Sequence, residues 1–245
     1  MKQIAQGAEA IIYLSPSSEI SAPNKSASKA RQSQGGWEGA EISSKNIIIK
    51  NRTPKSYRHP TLDNQIRKSR TKKETKLLNK ATKIINTPSA LNQDKFTIQM
   101  QYINGERLSE TLNSKPQAEQ FKIMQQIGEQ IAKLHNNNII HGDLTTSNTI
   151  LLNEKQSKDT EDSTINGMVG TFPGKVFLID FGLGFISTRI EDKAVDIHLI
   201  RQALEAKHFQ NHEQLFEQLL KSYQPKERDK ILEQLKKVEA RGRYK

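Results

Sequence analysis

The chain has no cysteine, which excludes disulfides, thiolate metal sites and a cysteine nucleophile and fits a reducing compartment. Large apolar residues are scarce: there is one tryptophan, aromatics make up 6% of the sequence and hydrophobic residues 34%. No run approaches the ~18 apolar residues of a membrane-crossing helix, so no membrane association is expected. Met1 to Leu14 lacks the basic-then-apolar order of a secretory signal. The expected setting is cytosol or nucleus. Acid is also in short supply: 27 Asp and Glu stand against 38 Lys and Arg, a formal charge of +11. That excess suits acidic partners such as nucleic acid or nucleotide phosphates, and equally a solvated surface.

The 245 residues are enough for one large domain or two small lobes sharing a cleft. Ile4 to Leu14 reads as two short strands around a turn at Gly7. Residues 15–46, rich in Ser, Ala, Lys and Gly, lack the apolar content to fold alone and read as a flexible insertion, with Trp37 its one large apolar residue. Ile47-Ile48-Ile49-Lys50 is a β-branched run, a buried strand ending in lysine. Leu62, Ile66, Leu77 and Leu78 recur at near-helical spacing in a very basic stretch, and Phe96 to Tyr102 alternates as a strand does. Ser114 and Gln117 form a capping box ahead of a helix with the stripe Phe121, Met124, Ile127, Ile131 and Leu134. Residues 153–173 are a second polar insertion. The remainder is helical, with stripes at Val195, Leu199, Ala203 and Leu204, then Leu215, Phe216, Leu219 and Leu220, then Ile231, Leu232, Leu235 and Val238. The expected class is α+β and bilobal: a β-rich N-lobe over 1–103 and a reduced helical C-lobe over 104–245, with a cleft between.

The chemistry concentrates in His141-Gly142-Asp143-Leu144-Thr145-Thr146-Ser147-Asn148 and in Ile179-Asp180-Phe181-Gly182. An Asp, an Asn five residues on, then Asp-Phe-Gly after a buried strand is the order in which a protein kinase presents its catalytic loop and metal ligands. Phosphoryl transfer needs hard oxygen ligands for Mg2+, here Asn148 and Asp180, and a carboxylate to orient the acceptor and take its proton, here Asp143. Alone, Asp143 would read as a turn residue and Asn148 as a cap; the two motifs in the right order, each behind an apolar strand, override that. Lys50 can reach the phosphates of ATP from its strand end, and an ammonium there needs an anionic partner. Glu74 is one of two acids among ten basic residues between Lys50 and Lys76, the other being Asp63. Lys50 and Glu74 therefore join Asp143 as the catalytic set. The phosphate loop is weak by comparison. Gln6-Gly7-Ala8-Glu9-Ala10 has one glycine where G-x-G-x-x-G has three, although the small residues Ala8 and Ala10 let the backbone approach a phosphate; the spacing alone does not identify a phosphate loop.

These stretches, with Pro54-Lys55-Ser56-Tyr57-Arg58-His59-Pro60, Arg70-Thr71-Lys72-Lys73-Glu74, Glu191-Asp192-Lys193-Ala194-Val195-Asp196 and Arg241-Gly242-Arg243, resemble the small atypical serine/threonine kinase of the KEOPS complex, a lineage near the RIO kinases. The resemblance covers nearly the whole chain outside the two insertions. It implies ATP bound by Gly7, Ala8 and Lys50, with Met100 as gatekeeper and Gln101 to Ile103 as the hinge to adenine. It implies Mg2+ on Asn148 and Asp180, and Asp143 as acceptor base. The partners it implies are a threonylcarbamoyl transferase subunit, other KEOPS-type subunits and tRNA, with ATPase activity supporting modification of the adenosine beside certain anticodons.

Two absences shape that reading. Position 142 is glycine where regulated protein kinases carry the arginine that pairs with an activation-loop phosphate. Asp196 follows Asp180 by only 16 positions, with no A-P-E triplet between, which leaves little machinery for gripping peptides. Asp196 is expected to brace the catalytic loop. Arg241 to Lys245, with three positive charges and no acid, reads either as a basic tail tracking a phosphate backbone or as a solvated terminus. Three functions compete: an ATPase or kinase within a tRNA-modifying assembly, a conventional protein kinase, and a catalytically silent kinase-shaped scaffold. The full Lys, Glu, Asp, Asn, Asp set disfavours the last, and the short segment after Asp180 disfavours the second.

Overall fold

A computed structural model describes residues 1–7, 9–16, 46–152 and 174–242. Most of both insertions, Trp37, Ala8 and the last three residues lie outside them. The chain divides into two compact units, one of Met1–Thr75 with Ser89–Tyr102, the other of Lys76–Pro88 with the residues from Ile103 onward. The sequence boundary at 103/104 is one residue from the Tyr102/Ile103 division, but 76–88 goes with the second unit. The reason is a set of hydrogen bonds around Asn86. Its N–H donates to Gln130 Oε1, its side chain donates to the Val176 carbonyl, and its own carbonyl accepts from the Leu178 N–H.

In the first unit, β1 (Lys2–Gln6), β2 (Ala10–Pro16), β3 (Asn46–Arg52), β4 (Ala90–Gln93) and β5 (Thr97–Gln101) form one antiparallel sheet in the order β1-β2-β3-β5-β4. The strand pattern of the isoleucine run holds: Ile47 and Ile49 are buried. The proposed insertion is shorter than its sequence bounds, because Ser15 pairs with Ile47 and Pro16 with Asn46 in the β2–β3 ladder. Strand β4 has no apolar alternation and escapes a periodicity reading.

Helix α1 (Pro60–Ala81) is a single element, and its first part departs from the expected apolar stripe. Leu62 is exposed, whereas Asp63, Thr71 and Glu74 are buried. A helix that buries polar groups must satisfy them. Thr71 and Thr75 donate to the carbonyls of Arg67 and Thr71, and Asp63 pairs with Arg67 at 2.6 Å.

The second unit holds the short strands β6 (Glu106–Arg107), β7 (Ile139–Ile140), β8 (Thr149–Leu152), β9 (Lys175–Leu178) and β10 (Phe185–Ile186), with helices α2 (Leu108–Thr111), α3 (Gln117–Asn136), α4 (Ile190–Lys207), α5 (His212–Ser222) and α6 (Arg228–Gly242). Its small sheets run β6-β8-β9 and β7-β10. The α3 stripe is buried from Met124 to Leu134 as its spacing predicts. The capping box does not form: Pro116 is the N-cap of α3, and Ser114 donates instead to the Thr111 carbonyl at 2.8 Å in the preceding 3-10 turn, Leu112–Ser114. The α4 stripe is shifted from its expected position. Val195 is exposed, and the inward face is Ala194, Ile197, Ile200 and Leu204 with Lys193 and Asp196. Burying Asp196 sets the rotation of the helix, and Val195 follows it to the surface.

Of the basic tail, residues 243–245 lie outside the described residues. Arg241 and Gly242 end α6 rather than beginning an arm, and Arg241 pairs with Glu191 of α4 at 2.7 Å. Arg201–Glu239 at 2.6 Å and Lys193–Glu227 at 3.0 Å tie the same region to α4. No helix among the described residues is long and apolar enough to cross a membrane.

Gly128 marks the closest approach of α3 to α5, since a Cβ there would lie 2.3 Å from both the Leu219 carbonyl oxygen and Ser222 Oγ. Alanine would gain ~0.5–1 kcal/mol of helix propensity but overpack the interface by ~1–3 kcal/mol. Gly128→Ala is therefore expected to lower stability by about 1–2 kcal/mol, read as a lower urea midpoint at unchanged m-value.

Candidate active site

In the first unit, Lys50 and Arg52 lie two residues apart on β3 and so share one face of the strand; both are buried. Glu74, 3% exposed on α1, bridges them. Its Oε1 accepts from Lys50 Nζ at 2.7 Å and its Oε2 from Arg52 Nη2 at 2.5 Å. The expected Lys50–Glu74 pair is thus formed, with a second cation that the sequence reading did not include. The signal was available: a charged residue at i+2 from a functional strand lysine must face the same way. Gly7 sits in the β1–β2 turn, where its N–H donates to the Ala10 carbonyl at 2.9 Å. Ala8 lies outside the described residues. Met100 and Gln101 end β5, Met100 in register with Ile48, and Gln101 N–H donates to the Ser89 carbonyl. Ile103, 5% exposed, opens the second unit.

In the second unit the catalytic loop hangs on one carboxylate. Asp196 is 1% exposed. Its Oδ2 accepts from the His141 N–H at 2.7 Å, its Oδ1 from the Gly142 N–H at 2.8 Å, and His135 Nε2 stands 3.3 Å from Oδ2. The bracing expected of Asp196 is therefore present, and it extends further. Tyr223 Oη lies 2.7 Å from His135 Nδ1. Burial pushes the Tyr223 phenol well above its ordinary range, the Asp196 charge adding to this against Arg228. It stays protonated, and the two ring nitrogens of His135 lie between the phenol oxygen and the Asp196 carboxylate. A fully buried relay thus runs from the end of α5 through α3 to α4 and the loop.

Asp143 and Asn148 are brought together. Asn148 Nδ2 donates to Asp143 Oδ2 at 2.8 Å and to the Asp143 carbonyl at 3.0 Å. This orients the Asp143 carboxylate and leaves Asn148 Oδ1 as the atom available to a cation. The Thr146–Asn148 3-10 turn is capped by Thr145 Oγ1, which accepts from the Asn148 N–H. It is buttressed by buried His208, whose Nε2 is 3.2 Å from Thr146 Oγ1 and whose Nδ1 is 2.6 Å from Asn113 Oδ1.

Asp180 adjoins the same loop through its neighbour Ile179, whose N–H donates to the Asn148 carbonyl at 2.9 Å. Asp180 adopts φ +65°, a left-handed conformation that an aspartate tolerates better than most residues, and its Oδ1 accepts from the Gly182 N–H at 3.0 Å. The chain then turns at Gly184 and pairs β10 with β7, Phe185 with Ile140. Gly142 has φ +77°, and a Cβ there would meet the Leu183 carbonyl oxygen at 2.5 Å. The arginine of regulated kinases has no room at this position.

His141 is buried beneath the loop. Its Nε2 donates to the Ile179 carbonyl at 3.1 Å, its Nδ1 accepts from the Asp143 N–H at 3.3 Å, and its ring packs 4.6 Å from that of Phe181. Desolvation holds its pKa below the ordinary histidine range despite the charges of Asp196, Asp180 and Asp143. His208 is depressed likewise by burial and by Lys207.

Two outcomes follow from this geometry. Asp196→Asn places an NH2 against main-chain donors and leaves buried N–H groups unmatched at about 1–3 kcal/mol each; chemical denaturation should show a loss of about 3 kcal/mol or more. Stability should also be pH-dependent. Below the unfolded histidine pKa of about 6.5 the unfolded chain binds protons that folded His141 and His208 refuse. The stabilisation is complete above that pH and declines as pH falls toward the depressed folded values. Melting temperature should drop between pH 7.5 and 5.5, and His208→Gln should flatten the decline.

Comparison with known proteins places this geometry. The protein kinase domain family matches residues 42–195. The KEOPS complex subunit Bud32 of Pyrococcus abyssi is 37% identical over the whole of this chain and 96% of its own length. The Dictyostelium discoideum EKC/KEOPS complex subunit bud32 is 36% identical over 81% of this chain and 75% of its own. A probable bifunctional tRNA threonylcarbamoyladenosine biosynthesis protein of Methanobrevibacter smithii is 36% identical over 82% of this chain, which spans 33% of that longer protein. The chain belongs to the protein kinase family and, within it, to the Bud32 branch of serine/threonine kinases.

Proposed function

We propose that the chain is an ATP-dependent phosphotransferase and ATPase that supports threonylcarbamoyl-adenosine modification of tRNA as a subunit of a KEOPS-type complex. The observation that carries the chemistry is the coexistence of a buried Lys50–Glu74 pair at 2.7 Å and an Asp143 carboxylate oriented by Asn148 at 2.8 Å. The names of the relatives supply the assembly and the tRNA modification.

In this reading Lys50 neutralises the inner phosphates of ATP, with Gly7 and Ala8 of the β1–β2 turn at the phosphates and Met100, Gln101 and Ile103 at adenine. Asn148 Oδ1 and the Asp180 carboxylate are hard oxygen donors suited to Mg2+, which takes one or two protein carboxylates and completes its shell with phosphate and water. When bound, Mg2+ offsets charge on the transferring phosphoryl. Asp143 orients the acceptor hydroxyl or water and takes its proton.

The segment after Asp180 favours ATP chemistry over peptide capture. It is returned onto β7 by the β10 pairing, and α4 begins at Ile190, leaving little chain to form a peptide platform.

The test is ATP hydrolysis by the purified chain, with and without a threonylcarbamoyl transferase subunit and tRNA. Wild type should turn over ATP and be stimulated by the assembly. Asp180→Ala should abolish turnover, and Lys50→Ala should lower it by about two orders of magnitude. Turnover near wild type in either variant removes that residue from the mechanism; a wild-type chain that binds no ATP refutes the reading.

A further inference from the structure

The β1–β2 turn is poorly anchored by apolar packing. Strand β1 is exposed along most of its length, and its burial pattern gives the hairpin no apolar seat next to the turn until Ala10. With one glycine, the turn also lacks the main-chain freedom of a three-glycine loop. Its position is instead tied down by Glu9.

The Glu9 carbonyl accepts from the Thr53 N–H at 3.3 Å. Its Oε2 accepts from Arg52 Nη1 at 3.2 Å, and its Oε1 from Arg70 Nη1 on α1. Burial works against the Glu9 charge, but the hydrogen bond and charge of Arg70, with Arg52 and Arg58, outweigh it and leave the carboxyl below its ordinary range. Arg52 is the shared element, with Nη1 on Glu9 and Nη2 on Glu74 at 2.5 Å, while Glu74 holds Lys50 at 2.7 Å. One ionic chain, Lys50–Glu74–Arg52–Glu9–Arg70, therefore links the strand lysine to the turn.

We propose that Glu9 is a positioning residue for nucleotide binding: through Arg52 and Arg70 it latches the β1–β2 turn to the helix that carries Glu74, so that the turn and Lys50 are presented to the phosphates together. Strand β3 supplies both Lys50 and Arg52, and α1 supplies both Glu74 and Arg70. A displacement of α1 thus releases the turn and the lysine in one motion. The latch substitutes charge for the missing glycines: with Glu9 tied to β3 and α1, less order has to be gained at the turn when the nucleotide binds. The proposal rests on the ATP reading above.

The experiment compares Glu9→Gln, Arg70→Gln and the double variant with wild type, measuring ATP KM, kcat, the affinity of a fluorescent ATP analogue and thermal melting. Each single variant should raise KM and weaken analogue binding about ten-fold, with kcat changed less than three-fold. The double variant should be no worse than Glu9→Gln alone, since Glu9→Gln already removes the contact that Arg70→Gln removes, and Arg70→Lys should recover most of the loss. A lowered melting temperature with unchanged KM would make Glu9 merely structural and overturn the proposal. So would additive effects, or a fall in kcat at constant KM. If Glu9→Gln fails to fold, Arg70→Gln and Arg70→Lys decide the question by the same KM criterion. Wild type that binds the analogue while every variant matches it sinks the latch and leaves the ATP reading standing; wild type that does not bind refutes both.

Discussion

The two N–H bonds that Asp196 accepts from His141 and Gly142 are the constraint on which the second unit depends. A fully buried carboxylate is tolerable only when its lone pairs are filled by well-aligned donors. Here the donors are the main chain of the loop that carries Asp143. Satisfying the carboxylate and shaping the loop are therefore one event. The requirement propagates in both directions: it rotates α4 so that Val195 faces solvent, and it recruits His135 and Tyr223 into one buried polar network with the carboxylate.

A parallel arrangement organises the first unit. Glu74 is as buried as Asp196 and must likewise be satisfied, but its partners are cations rather than main-chain N–H groups. This explains why α1 buries polar residues along its first part. The helix is positioned less by an apolar stripe than by the charges that Lys50, Arg52 and Arg70 bring to Glu74 and Glu9. Electrostatic anchoring of this kind gives orientation at a cost in desolvation, a trade characteristic of functional sites rather than cores.

The absence of arginine at position 142 has a structural cause. The positive φ and the adjacent Leu183 carbonyl admit no side chain, because the segment after Asp180 folds straight back to pair β10 with β7. The catalytic loop is thus closed over by its own neighbour, and α4 begins soon after, at Ile190.

Much of this was legible from residues alone, for identifiable reasons. The isoleucine run before Lys50, the α3 stripe and the HGDLTTSN and IDFG stretches are local signals: periodicity marks burial, and the required donor types sit at fixed short spacing. The Lys50–Glu74 pair was legible because acid is so rare in its stretch. The composition of Ser114 to Gln117 misled, since a proline at the N-cap position displaced the serine from its capping role. The surface pair of Arg241 with Glu191, 50 residues away, was not legible either. What the sequence by itself determined is therefore the inventory of reactive groups and the strands and helices that carry them. Only the tertiary structure decided that Arg52 shares Glu74 with Lys50, that Glu9 meets Arg70, and that Tyr223 reaches Asp196 through His135. Those partners are 22, 61 and 27 residues apart along the chain, and no local pattern encodes a contact that exists only once the chain has folded back and desolvated both members.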